Sequence, residues 1–98
     1  MVIFWSTPAR NDLKAIHDYI ARDSKRYAIR VTQDILNKTN TLVEFPTLGR
    51  TVLEIGEENV REIGLYSYRI VYEVMADTIY IHGIIHKRRN LKPEDLVS

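Results

Sequence analysis

The sequence predicts an α+β fold: an N-terminal strand, a helical hairpin, then an antiparallel β-sheet. Three observations predict it. Apolar residues recur at helical spacing between Pro8 and Phe45, with one break at Asp23-Ser24. Beyond Gly49 the period changes, and four runs rich in Val, Ile and Tyr follow, each of strand length. Ahead of both stands VIFW, residues 2 to 5, whose β-branched and aromatic side chains suit a short first strand.

Bulk properties frame the rest. A chain of 98 residues is expected to form one domain, residues 1–98, with a single hydrophobic core. At 45% hydrophobic and 28% charged, it has the composition of a globular protein rather than a disordered one. A net charge of +1 neither implies nor excludes a nucleic-acid partner, because the distribution of charge decides that. Without cysteine there is no disulfide framework and no thiolate metal site. The opening MVIFWSTPAR has neither a basic leader nor a long apolar run, and no segment approaches the roughly 20 apolar residues of a membrane span. A reducing, cytoplasmic location is expected.

Each element follows from local chemistry. Ser6-Thr7-Pro8 reads as a helix start, with Thr7 as cap and Pro8 at the first helical position, where its missing N–H is not needed. Ala9, Leu13, Ile16 and Ile20 place one apolar face on residues 8 to 22. After Asp23-Ser24, residues Ala28, Val31, Ile35 and Leu42 continue the spacing, so two tightly joined helices run antiparallel until Pro46 and Gly49 end them. TVLEI, REIGLY, YRIVYEV and TIYIHGII are the expected strands, with Gly56-Glu57-Glu58-Asn59 and Ala76-Asp77 as turns. Short connections make them antiparallel neighbours. The polar tail NLKPEDLVS has room for one helical turn or none. The hairpin's apolar stripe requires a sheet face to cover, which leaves all or part of the other face open.

Alternation along the strands assigns the faces. Tyr68, Ile70, Tyr72 and Val74 share one face of YRIVYEV, opposite Arg69, Val71, Glu73 and Met75. Strict alternation in TIYIHGII puts Ile79, Ile81 and Ile85 opposite Tyr80, His82, Ile84 and His86. The open face would then carry Arg69, Glu73, His82 and His86, with Lys87, Arg88 and Arg89 at its edge. Whether Arg61 or Glu62 joins that face is left open by the pattern. Such a cluster fits a polyanion, since arginine grips phosphate bidentately and a cluster gains affinity by counterion release. On composition alone the structural alternative is favoured over a site: Arg69 paired with Glu62 or Glu73, and a basic run that guards a sheet edge. His86 beside three cations would resist protonation and suit a general base. No histidine pair has metal-ligand spacing on a helix, and no serine lies in a G-x-S-x-G context. Neither a metal nor a cofactor is expected. His17 falls on the first helix with no assigned role.

Taken in order, these residues resemble the ParE/RelE superfamily of toxins from bacterial type II toxin–antitoxin systems. The series comprises the opening strand, then Trp5, Ala9, Asp12, Leu13, Ile16, Tyr19 and Ile20 as W-x-x-x-A-x-x-D-L-x-x-I-x-x-Y-I. Phe45, Pro46, Gly49 and Arg50 follow as F-P-x-x-G-R, then V-R-E at Val60 to Glu62, Y-R-I-V-Y at Tyr68 to Tyr72, and I-x-H-x-R-R at Ile84 to Arg89. The resemblance implies a curved antiparallel sheet under the hairpin, and a growth-inhibiting toxin, such as those that maintain plasmids, held in a hetero-oligomer by a cognate antitoxin. It implies two possible activities. RelE-like members cleave mRNA in the ribosomal A site; ParE-like members inhibit DNA gyrase and stabilise its cleaved complex with DNA. A relative without either activity, kept as an antitoxin partner, is a third possibility.

By similarity to RelE, Arg69, His86 and Arg88 would be the catalytic set. The RelE-type tyrosine near the C-terminus is missing from NLKPEDLVS, and Gly64-Leu65-Tyr66-Ser67 stands where RelE-like chains place lysines. His86, Arg88 and Arg89 fill the ParE-like H-x-R-R pattern instead. The ParE-like alternative is therefore favoured, a non-enzymatic gyrase inhibitor, with Arg69, His86, Lys87, Arg88 and Arg89 as target-binding residues.

Overall fold

The computed structural model describes residues 1–89 and 91–96. The chain runs β1 (Val2–Trp5), α1 (Thr7–Ala21), α2 (Lys25–Asn40), a 3-10 turn (Thr41–Val43), β2 (Arg50–Thr51), β3 (Val60–Leu65), β4 (Tyr68–Val74), β5 (Thr78–His86) and a last 3-10 turn (Pro93–Leu96). The α+β order matches the expectation, and the tail forms one turn; Asn90, Val97 and Ser98 lie outside the described residues. No helix among the described residues is long and apolar enough to cross a membrane.

Ser6, not Thr7, caps α1. Its hydroxyl accepts from Ala9 N at 3.1 Å and donates to His82 O at 3.0 Å, so the same side chain starts the helix and ties it to β5. Ser24 caps α2 through Tyr27 N at 3.1 Å.

The five strands lie in the order β1-β5-β4-β3-β2. β2 to β5 are antiparallel neighbours, whereas β1 pairs parallel to β5, so the sheet is mixed rather than purely antiparallel. The long connection that parallel neighbours need is supplied by everything between β1 and β5. That pairing sets Ile3 beside Ile79 and Trp5 beside Ile81, which extends the apolar floor under the helices. Trp5 is accordingly half-buried packing.

Two apolar clusters hold the sheet. The larger lies beneath the hairpin, where Ile16, Val31, Ile35 and Leu42 meet Ile63, Ile70, Tyr72, Ile79, Ile81 and Ile84. Each full burial of this kind stabilises by about 1.5–3 kcal/mol. The smaller, Val52, Val60, Val71, Ile85 and Leu91, closes part of the other face with help from Ile55 and Leu96.

Two expectations about strands fail. TVLEI is a strand only at Thr51, with Arg50 before it; Ile55 N and Gly56 N both bond Val52 O, which turns the chain. The turn drops Val52 into the smaller cluster and swings Glu54 over the sheet. In β5, alternation breaks at His82. Val71 is opposite Gly83 and Tyr72 opposite Ile81, which leaves His82 as an extra residue in a β-bulge. Past it the faces exchange: Ile84 and His86 join the helix side, and Ile85 faces the other way.

The bulge also explains the first-helix aspartate. Beyond Trp5 the edge of β5 has no strand partner, and α1 covers it. Asp12 Oδ2 accepts from Ile84 N at 2.9 Å, and a Cβ on Gly83 would stand 3.0 Å from that oxygen. Burial raises the Asp12 pKa above its usual range, against the Ile84 hydrogen bond and the charge of Arg89.

Candidate functional site

Three strands, β2, β3 and β4, bring Arg50, Glu62 and Arg69 onto the face away from the helices. Cross-strand register pairs Arg50 with Glu62, and Gly64 with Arg69, so Glu62 rather than Arg61 joins this face. Arg69 is buried, 7% exposed, beside Glu62 at 5%. Its guanidinium donates to Glu62 Oε2 and to Glu54 Oε2, both at 2.7 Å, and to the carbonyl of Arg89. Its Nε is buried and has no partner among the described residues. Glu62 also accepts from Arg50 at 3.1 and 3.2 Å.

Glu54 closes the network onto the C-terminal segment. Besides Arg69 it accepts from Leu91 N at 3.1 Å. The Arg69 hydrogen bond is the main reason its pKa is lowered to about 2 from 4.5. Arg69 and Glu54 thus fasten Arg89 and Leu91 onto the sheet. Above the network lies a cleft of ≈ 480 Å³, walled by Arg50, Glu62, Gly64, Arg69 and Lys87. Lys87 crosses Gly64, with Cε 3.5 Å from where a Cβ would stand.

The loop before β2 is held as tightly. Tyr72, fully buried, donates its hydroxyl to Pro46 O and accepts from Gly49 N, each at 2.9 Å. A Cβ on Gly49 would lie 2.5 Å from Glu62 O, so no larger residue fits without shifting backbone. Arg61 Nη1 donates to Gly49 O at 2.9 Å.

The five expected target-binding residues do not share one face. Arg69 is on the open side. His86 lies on the helix side of β5, edge-on to Tyr68 with ring centroids 6.3 Å apart, because the bulge exchanged the faces. Lys87, Arg88 and Arg89 are exposed beyond the strand end. Arg89 pairs with Asp95 at 3.5 Å; among the described residues, Lys87 and Arg88 make no ion pair. His82 stays on the open face and pairs with Glu73 at 2.9 Å, tilted against Tyr80 at 4.7 Å. His17 is on α1, beside Asp18 at 3.2 Å.

Sequence reasoning missed Glu54, because it was placed in a strand, and Tyr66. Tyr66 and Ser67 form the two-residue turn between β3 and β4, and Tyr66 has φ +55. A bulky residue at a position that usually falls to Gly, Asn or Asp was the available signal. No group of three or more His, Cys, Asp or Glu that could hold a metal ion occurs among the described residues.

With the geometry in hand, the family follows from the span of one match. The model of the ParE toxin of the type II toxin–antitoxin system parDE matches residues 3–91. The chain belongs to the ParE toxin family. Among solved structures it is similar to the chromosomal ParDE toxin–antitoxin system from P. aeruginosa, at 26% identity and TM-score 0.72, over 88% of this chain and 95% of that one. It shares its fold with a chain of the RelBE2 toxin–antitoxin complex from Mycobacterium tuberculosis, at 19% identity and TM-score 0.58, over 88% and 96%. No curated protein sequence matches.

In this ParE-family chain, the quoted motifs take structural parts. D-L supplies the Asp12 cap, F-P-x-x-G-R the loop locked by Tyr72, V-R-E the Glu62 that receives two arginines, and Y-R-I-V-Y both Arg69 and Tyr72. In the final motif, His86, Lys87 and Arg88 are exposed without a charged partner among the described residues.

Proposed function

We propose that this type II toxin inhibits DNA gyrase and is neutralised by an antitoxin encoded beside it. The observation that carries this choice over ribosome-dependent mRNA cleavage is the state of Arg69. Ribonucleolysis needs a base for the 2′-hydroxyl and cations that meet the phosphorane in one place. Arg69 is instead neutralised between two carboxylates, and His86 is across the sheet from it. Glu62, holding two guanidinium groups, is also the wrong charge for a phosphate cradle. A surface that binds a protein–DNA complex has no need of that constellation. Lys87 and Arg88 remain to meet an acidic partner or a nucleic-acid backbone.

An antitoxin fits a second surface. An apolar recess of ≈ 410 Å³ lies beside β1, lined by Ile3, Phe4, Trp5, Leu13 and Leu36, with Arg10 at its rim. β1 is an edge strand, so one row of its N–H and C=O groups is unpaired and open to strand addition. Both similar structures come from toxin–antitoxin systems.

The test is plasmid supercoiling by purified gyrase, with the protein alone and then with its antitoxin. Inhibition with accumulated cleaved DNA, relieved by the antitoxin and weakened in Lys87→Ala/Arg88→Ala, is the expected result. Undisturbed supercoiling, together with mRNA cleavage on programmed ribosomes, would overturn the proposal.

A further inference from the structure

The turn between β3 and β4 is built at a cost that folding alone does not require. Tyr66 holds φ +55, and for a residue with a side chain the left-handed region costs roughly 1–2 kcal/mol. Glycine or asparagine would avoid that. The ring is nevertheless fixed, because the Tyr66 hydroxyl donates to Asp34 on α2. It remains 40% exposed. A strained position held by a specific partner points to function at that position.

Two recesses meet at this turn and share Tyr66 and Ser67. One, of ≈ 450 Å³, has His86, Lys87 and Arg88 as its other walls. The second, of ≈ 200 Å³, is walled by Ile20, Tyr27, Val31 and Tyr68. The basic end of β5 is tied to the turn by Lys87 N, which bonds Ser67 O at 2.9 Å. Arg88 N rests 3.3 Å from His86 Nδ1. Aromatic side chains and exposed cations are thereby held side by side at one end of the sheet.

We infer that this end of the molecule binds single-stranded nucleic acid, with Tyr66 as the platform for an unstacked base and Lys87 and Arg88 on the flanking phosphates. A base on an aromatic ring contributes about 1–3 kcal/mol whatever its identity, and lysine and arginine add affinity by releasing counterions. A duplex keeps its base faces stacked and offers Tyr66 nothing. The inference builds on the gyrase proposal, since a cleaved DNA complex exposes strand ends and unpaired bases, but it is tested without gyrase.

The experiment is fluorescence anisotropy of a labelled oligo-dT of about a dozen nucleotides, with its duplex as competitor, at low and physiological salt. The wild-type protein is expected to bind the single strand in preference to the duplex. Tyr66→Gly, which suits φ +55, should weaken binding about 5- to 160-fold with the thermal transition retained. Lys87→Ala/Arg88→Ala should weaken it and flatten the salt slope by about 1.4, at roughly 0.7 per phosphate contact. No binding, preference for duplex, or a folded Tyr66→Gly that binds like wild type would overturn the inference. Gyrase inhibition without oligonucleotide binding overturns this inference alone. Oligonucleotide binding without gyrase inhibition supports it and overturns the gyrase proposal instead.

Discussion

Arg69→Ala distinguishes an arginine that builds the fold from one that meets a target. Its guanidinium, 7% exposed, holds Glu62 and Glu54 at 2.7 Å and caps the Arg89 carbonyl. Truncation leaves Glu62, 5% exposed, with only Arg50, whose side chain is 82% exposed and screened by water. Removing one partner of a buried pair costs about 3–5 kcal/mol. The remaining Arg50 contact offsets part of that, so a loss of about 2–4 kcal/mol is expected. At about 4–8 °C per kcal/mol for a domain of this size, Tm falls by roughly 8–32 °C. Urea unfolding supplies the free energy, with the midpoint falling and the slope unchanged. Glu62→Ala and the Glu62→Ala/Arg69→Ala pair complete a cycle, in which the double variant should lose about 1 kcal/mol or more less than the sum of the singles. Stability within about 0.5 kcal/mol of wild type in Arg69→Ala would refute the reasoning. The side chain would then be free to act on a target.

Three further outcomes come from the same contacts. Glu54 has its pKa lowered to about 2 from 4.5, so the unfolded chain takes up its proton first; the stabilisation is complete above pH 4.5 and is lost as pH falls toward about 2. Urea midpoints across that window should decline in the wild type, and Arg69→Ala should flatten the decline. Tyr72→Phe removes a donor to Pro46 O and an acceptor for Gly49 N, a loss of about 1–3 kcal/mol by thermal unfolding, with faster amide exchange at Gly49. Asp12→Ala abandons the Ile84 amide at a similar cost of about 1–3 kcal/mol, whereas Asp12→Asn keeps an acceptor without the desolvated charge and should stay within about 0.5 kcal/mol of wild type near neutral pH. Equal losses in both would show that the Asp12 charge, rather than its hydrogen bond, supports β5.

The helices were legible because their cores repeat: Ala9 and Ile16 on α1, and Ala28, Val31 and Ile35 on α2, are all buried at the spacing the sequence displays. β3, β4 and β5 were legible as strands for the same reason. What periodicity misses is an added residue. One extra position at His82 exchanges every face beyond it, and the only sign in the sequence was Gly83, a glycine inside an apolar strand. TVLEI failed differently. Its composition suits a strand, but Glu54 is drawn to Arg69 and Leu91, contacts 15 and 37 residues away along the chain. Pairing of that kind is decided by tertiary geometry rather than by local propensity.

The bulge bears on function as well as on face assignment. Without it, Ile85 would point to the helices and His86 to the open face, within the register of Arg69's neighbours. A histidine and an arginine would then share one surface, as the RelE-like alternative requires. With the bulge, Ile85 instead completes the smaller cluster over which Leu91 folds, and Arg69 is covered by the segment that follows. His86 is delivered to the other side, beside Tyr68 and the Tyr66 turn. One inserted residue therefore separates the buried arginine from His86. An arginine–glutamate network holds one face, while Tyr66, His86, Lys87 and Arg88 line a recess at the end of the sheet.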